Sequence, residues 1–239
     1  VTTVRARPNL SRPLVIGLVL ALVVIAGVAV WWTQRGEDPD EALCRTISAE
    51  VEARDDERPV ATGGEVAVIL GDSYSQGMLL PDQREQAWST ALGRLQGWTT
   101  YVDAIGGTGF VNGGSCGGQT FGSRVEHVLE WSPGTVVVQG GLNDADADPA
   151  EVQEAAGEVL ADLSDVPRVV VVGPPTTPGR GDVTAIDAAL AVAAAEADRQ
   201  YVSTAGWTLP YGDDGLHPTA EGHQQFAAMV AQALAAARP

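Results

Sequence analysis

The chain of 239 residues contains no lysine: all 14 of its basic residues are arginines. A stretch such as Gly106-Gly107-Thr108-Gly109 therefore lacks the Gly-Lys-Ser/Thr ending that a phosphate-binding P-loop requires. Positive charge is also scarce and lopsided. Arg5, Arg7 and Arg12 precede the first acid, Glu37, and the residues after 32 carry all 31 acids against 11 arginines. A net charge of −17 repels phosphate backbones and argues against a nucleic-acid partner. Cysteine is nearly missing. Cys44 and Cys116 have no His or Cys neighbour at metal-ligand spacing, which argues against a zinc site. The two residues leave open a disulfide, which an oxidising compartment permits, or a pair of thiols. The chain shows no internal repeat.

Hydrophobic residues make up 45% of the chain, too many for a disordered one. The longest apolar run, 13–32, reads PLVIGLVLALVVIAGVAVWW. It is uncharged and roughly 30 Å long as a helix, the thickness of a bilayer core. Arginines flank its N-terminal side and Trp31-Trp32 end it, which predicts a signal anchor with residues 1–12 inside the cell and the remainder outside. The small-x-small site Gly27-Val28-Ala29 supports the alternative, a cleaved signal peptide and a secreted protein. Residues 33–64 read as a polar stalk or linker ending in Gly63-Gly64, and 65–239 as the folded domain.

Within 65–239 apolar runs alternate with helical patterns. Strands are predicted at 66–70, 98–105, 135–138, 169–172 and 201–203, and helices at 84–95, 121–131, 150–163, 183–199 and 220–237. Strands apolar at every position are buried on both faces, which predicts a parallel sheet between helices: an α/β, three-layer α/β/α sandwich. Sites in such sheets lie beyond the carboxyl ends of the strands. Three strings fall there: Gly71-Asp72-Ser73, Gly141-Leu142-Asn143-Asp144, and Asp214-Gly215-Leu216-His217-Pro218.

Ser73 is a candidate nucleophile, although a serine after a strand also serves as a plain helix cap. Of three histidines, His127 and His223 fall in predicted helices and read as exposed, whereas His217 lies in a loop. A neutral imidazole is the side chain suited to taking a hydroxyl proton near neutrality. Asp214 can fix its tautomer, or act simply as a turn residue. Asn143 offers a neutral amide donor for an oxyanion, or a helix cap to which Asp144 is equally suited. Glycines after the second strand, Gly107 or Gly109, can bring a backbone N–H close to a substrate.

As a set these residues resemble the SGNH, or GDSL-type, hydrolase family. The blocks here are Gly71-Asp72-Ser73, Gly107, Gly141-Leu142-Asn143-Asp144 and Asp214-Gly215-Leu216-His217, spanning roughly 65–236. The resemblance implies a flavodoxin-like fold with a five-stranded parallel sheet. It implies a triad of Ser73, His217 and Asp214, and oxyanion donors from the Ser73 N–H, the Gly107 N–H and the Asn143 amide. Two departures stand out: Tyr74 occupies the position of the family's leucine, and the second block reads Asp103-Ala104-Ile105-Gly106-Gly107-Thr108-Gly109, so that Gly109 competes with Gly107.

The expected activity is hydrolysis of short acyl esters, for instance acetyl esters on an envelope glycan, without metal or cofactor. The loops 110–121 and 176–182 lack the long apolar stretch of a lipase lid. Transfer of acyl groups onto glycans by the same triad is the alternative; a non-catalytic glycan-binding protein is a third reading.

Overall fold

Five short runs become strands: β1 (Val66–Gly71), β2 (Thr99–Ala104), β3 (Thr135–Gln139), β4 (Arg168–Val172) and β5 (Gln200–Val202). They pair in parallel in the order β2-β1-β3-β4-β5. β3 is buried throughout, and β1 and β4 at every position but the first, because helices cover both faces. The computed structural model describes Cys44, Arg45 and residues 58–236. The expected anchor 13–32 lies outside the described residues, as do residues 1–12 and most of the stalk. Among the described residues no helix is long and apolar enough to cross a membrane.

Side chains alternate across the strands and so divide the interior into two cores. Val68, Leu70, Val136, Val138, Val169 and Val171 enter one; Ala67, Ile69, Val137, Val170 and Val172 enter the other. Within residues 58–236 the helices are α1 (Ser73–Gln76), α2 (Gln83–Gln86), α3 (Trp88–Gln96), α4 (Val125–Glu130), α5 (Pro149–Asp162), α6 (Thr184–Glu196) and α7 (Ala220–Ala236). The first core receives Val128 of α4, Val159 of α5 and Leu190 of α6. The second receives Tyr74 of α1, Trp88 of α3 and Phe226 of α7. Trp88 and Phe226 meet edge to face at 5.1 Å, a geometry that adds about 1 kcal/mol to the burial of both rings.

Local chemistry sets the helix ends. Asp148 caps α5 by accepting from the Ala150 N–H at 2.9 Å, and Pro149 supplies the fixed φ of the first turn. The periodicity at 84–95 predicts one helix, but the chain breaks at Ala87, whose ψ of 149° is extended. The reason lies in α7: the Trp88 N–H donates to Nδ1 of His223 at 3.2 Å, which fixes a fresh helix start. Residues 58–64, the end of the expected linker, lie along the outer edge of β2. The Val60 N–H donates to the Thr100 carbonyl and the Thr100 N–H to the Ala61 carbonyl, covering a sheet edge that would otherwise be open.

The strand order positions the site. β1 and β3 are neighbours, while β2 lies beyond β1 and β4 beyond β3. Connections leaving β1 and β3 diverge to opposite sides and open a crevice beyond their carboxyl ends. Ser73 follows β1 and Asn143 follows β3, so both rim that crevice.

Candidate active site

The serine stands at the first position of a one-turn helix. Asp72 precedes it in extended conformation and accepts from the Tyr74 N–H at 2.9 Å. The Ser73 N–H, at the first helical position, has no intrahelical acceptor. Ser73 is 8% exposed, and its Oγ lies 3.0 Å from Nε2 of His217.

The imidazole is held by its own loop. Oδ1 of Asp214 accepts from the Leu216 and His217 N–H groups, each at 3.0 Å, while Oδ2 lies 2.6 Å from Nδ1 of His217. Asp214 thus closes the turn and contacts the ring at once. Partial burial works against its charge. The imidazole and the two N–H groups outweigh that and bring its pKa down to about 2. A carboxylate can only accept, so the proton belongs on Nδ1 and the Nε2 lone pair faces the serine hydroxyl. The loop is anchored on both flanks, by Gly212 N–H to the His217 carbonyl and Gly179 N–H to the Gly215 carbonyl.

The Asn143 amide donates to the Thr108 carbonyl at 2.8 Å and lies 3.5 Å from Oδ2 of Asp72. The loop after β2 distinguishes the two candidate glycines. Gly107 has φ of 79°, a left-handed conformation that glycine adopts without strain. Its N–H has no acceptor among the described residues. The Gly109 N–H, in contrast, is consumed by the Asn112 carbonyl at 2.8 Å. Gly109 is small for another reason: a Cβ there would fall 2.2 Å from Oδ2 of Asp144.

That carboxylate is a component the sequence reading assigned only to a helix cap. Asp144 is 1% exposed and accepts the N–H groups of Phe110, Val111 and Asn112 at 2.9, 3.1 and 2.8 Å. It ties the loop after β2 to the loop after β3. Arg124 ties the end of β1 to β2 and to the loop after β2. It pairs with Asp103 at 2.6 Å, and donates to the Gly71 carbonyl and to Thr108 Oγ1, each at 3.0 Å. Nothing in the spacing of Arg124 marks it in the sequence.

Of the other two histidines, His223 is not as the sequence suggests. His127 is partly exposed, but its Nδ1 pairs with Asp103 at 2.8 Å. His223 is 1% exposed, not a surface residue. Burial, with a smaller push from His217, lowers its pKa to about 4, so it stays neutral and accepts from Trp88. Asp72 shifts the other way, up to about 7. Burial outweighs the Tyr74 N–H that favours the carboxylate; Asp144 adds to the rise, and Arg124 and Gln139 oppose it. Cys44 and Cys116 are both disulfide-bonded. Among the described residues no group of three or more His, Cys, Asp or Glu is arranged to hold a metal ion.

A flavodoxin-like sheet with a serine, a histidine and an aspartate hydrogen-bonded in series at its carboxyl edge defines the class of α/β serine hydrolases. Residues 69–225 match the GDSL-like lipase/acylhydrolase family, and the chain belongs to it. It is accordingly a serine ester hydrolase. No curated protein matches the sequence. Among solved structures it is similar to Est24, a carbohydrate acetylesterase from Sinorhizobium meliloti, with TM-score 0.62 and 18% identity over 72% of this chain and 99% of that one. It is also similar to the aryl esterase of M. smegmatis, with TM-score 0.59 and 15% identity over 72% and 99%. At such identities the likeness speaks for the fold.

Proposed function

We propose that this chain hydrolyses short-chain acyl esters, acetyl esters foremost, with Ser73 as nucleophile, His217 as general base and Asp214 as its orienting acid. The observation that carries this reading is the continuous relay from Asp214 Oδ2 to His217 Nδ1 at 2.6 Å and from His217 Nε2 to Ser73 Oγ at 3.0 Å. Ser73 attacks the acyl carbon as its proton passes to Nε2, and the carbonyl oxygen becomes an oxyanion. The Ser73 N–H, the Gly107 N–H and the Asn143 amide receive that charge. The imidazolium, stabilised by Asp214, then protonates the leaving alcohol, and the acyl-enzyme forms. Water, activated by the same imidazole, releases the acid and restores the serine.

Short acyl groups are favoured by loops that carry no apolar lid. A cavity of about 460 Å³ is lined in part by Thr176, Trp207, Leu209 and Tyr211, the last of which bridges to Pro218 beside His217. Its aromatic walls suit a ring in the alcohol portion, as a sugar would present. The apolar run 13–32 supports action outside the cytoplasmic membrane, and disulfide-bonded cysteines accord with an oxidising compartment.

A series of p-nitrophenyl esters from acetate to decanoate, run beside acetylated xylan, tests the reading. The account expects kcat/KM to be highest for acetate and acetate to be released from the glycan. A maximum at octanoate or longer contradicts it. Product analysis with an added alcohol acceptor separates hydrolysis from acyl transfer.

A further inference from the structure

Tyr74, the residue after the serine, is 1% exposed, and its ring packs among Phe226, His223 and His217 at centroid distances of 6.2, 6.4 and 6.3 Å. Its hydroxyl does not turn back to its own helix. It crosses 142 residues of sequence to donate to the Leu216 carbonyl at 2.6 Å. Leu216 lies between Asp214 and His217, so the acceptor sits inside the turn that carries both. The phenol is locked in its neutral, donating form, since burial raises its pKa, and the neighbouring Tyr211, Asp72 and Asp214 raise it further.

This bond has no substitute in the loop. The Leu216 N–H is taken by Asp214, Gly212 holds the His217 carbonyl, and Gly179 holds the Gly215 carbonyl. Those three bonds set the shape of the turn and its outer flanks. Besides the His217 Nε2–Ser73 Oγ contact itself, the Tyr74 bond joins the turn directly to the segment bearing Ser73, and it does so through the backbone of the turn. We infer that Tyr74 is a positioning residue: its hydroxyl, through the Leu216 carbonyl, holds the imidazole of His217 in register with Ser73. This rests on the proposed serine–histidine relay, and a leucine at 74 has no donor with which to make the bond.

The test compares wild type with Tyr74→Phe, which removes only the hydroxyl, and Tyr74→Leu, which also removes the ring. Two readouts are taken: steady-state hydrolysis of p-nitrophenyl acetate, and the NMR resonance of the His217 Nδ1–H, assigned by its loss in His217→Gln. Both variants are expected to lower kcat roughly tenfold or more, with KM within about twofold. The Nδ1–H resonance should broaden or disappear as the ring gains freedom. The resonance separates this inference from the esterase reading, since it needs no turnover. A wild type without esterase activity whose resonance is lost in Tyr74→Phe keeps the positioning role and removes the esterase reading. Folded variants that retain wild-type kcat and a sharp resonance overturn the positioning role. Should Tyr74→Phe fail to fold, Tyr74→Leu alone decides by the same two readouts. Failure of both to fold, measured by thermal unfolding, also overturns it, since the residue is then structural.

Discussion

The Oγ of Ser73 and Nε2 of His217 lie 3.0 Å apart across 144 residues of sequence. Neither atom owes its place to substrate. The serine is fixed at the first turn after β1, with Asp72 as its cap. The histidine is fixed by a turn whose N–H groups its own partner, Asp214, accepts. Preorganisation of this kind is what lets a neutral imidazole act on a hydroxyl without a prior conformational cost.

Asp214→Asn is expected to lower kcat for p-nitrophenyl acetate by about 10²- to 10⁴-fold with little change in KM. The amide can still accept from the loop N–H groups, but it no longer dictates which imidazole nitrogen carries the proton. Steady-state kinetics checks this. A kcat within about threefold of wild type contradicts the orienting role.

Asn143→Ala removes the amide that donates to the Thr108 carbonyl and is proposed to serve the oxyanion, and is expected to cost about 10²- to 10³-fold in kcat, again with KM nearly unchanged. Rapid-quench measurement of acyl-enzyme formation locates the loss in the acylation step. A variant that loses only affinity contradicts the oxyanion assignment.

Stability should depend on pH through two buried groups of opposite sign. Burial keeps the folded pKa of His223 at about 4, below its ordinary 6.5. The unfolded chain therefore binds the extra proton first, and stability falls as pH drops from about 6.5 to 4. Burial holds Asp72 at about 7 against an ordinary 3.8, so here the folded state keeps a proton that the unfolded chain releases. Stability from that group falls as pH rises from about 3.8 to 7. Each effect is on the order of 3 kcal/mol, and they oppose one another between about pH 4 and 6.5. Urea unfolding from pH 4 to 8 is expected to show Asp72→Asn more stable than wild type at pH 8. His223→Asn, which keeps an acceptor for Trp88, should lack the acid-side loss. An Asp72→Asn protein less stable than wild type at pH 8 contradicts the assignment.

The sheet was readable in the sequence because runs such as 136–138 and 169–172 are apolar at every position, and only burial on both faces accounts for that. The residues that meet at the crevice were readable too, since Ser73, Asn143 and the loop of Asp214 and His217 each follow a strand. Harder to read were features defined by tertiary contact. His223 looks like a helix-surface residue in sequence, yet it is buried because the Trp88 N–H needs an acceptor there. Gly107 and Gly109 are equivalent in composition. They separate only once the Gly109 N–H is seen to serve Asn112, and its missing side chain to make room for Asp144. Arg124 reaches the carboxyl ends of β1 and β2 from a 3₁₀ turn, a reach that no local pattern encodes.

The most direct measurement is labelling of the wild-type protein and of Ser73→Ala by a fluorophosphonate probe, paired with p-nitrophenyl acetate hydrolysis. The account predicts one covalent adduct, on Ser73 by peptide mass mapping, and loss of both labelling and hydrolysis in the folded Ser73→Ala protein. Hydrolysis and labelling that persist in Ser73→Ala, or an adduct on another residue, would contradict it.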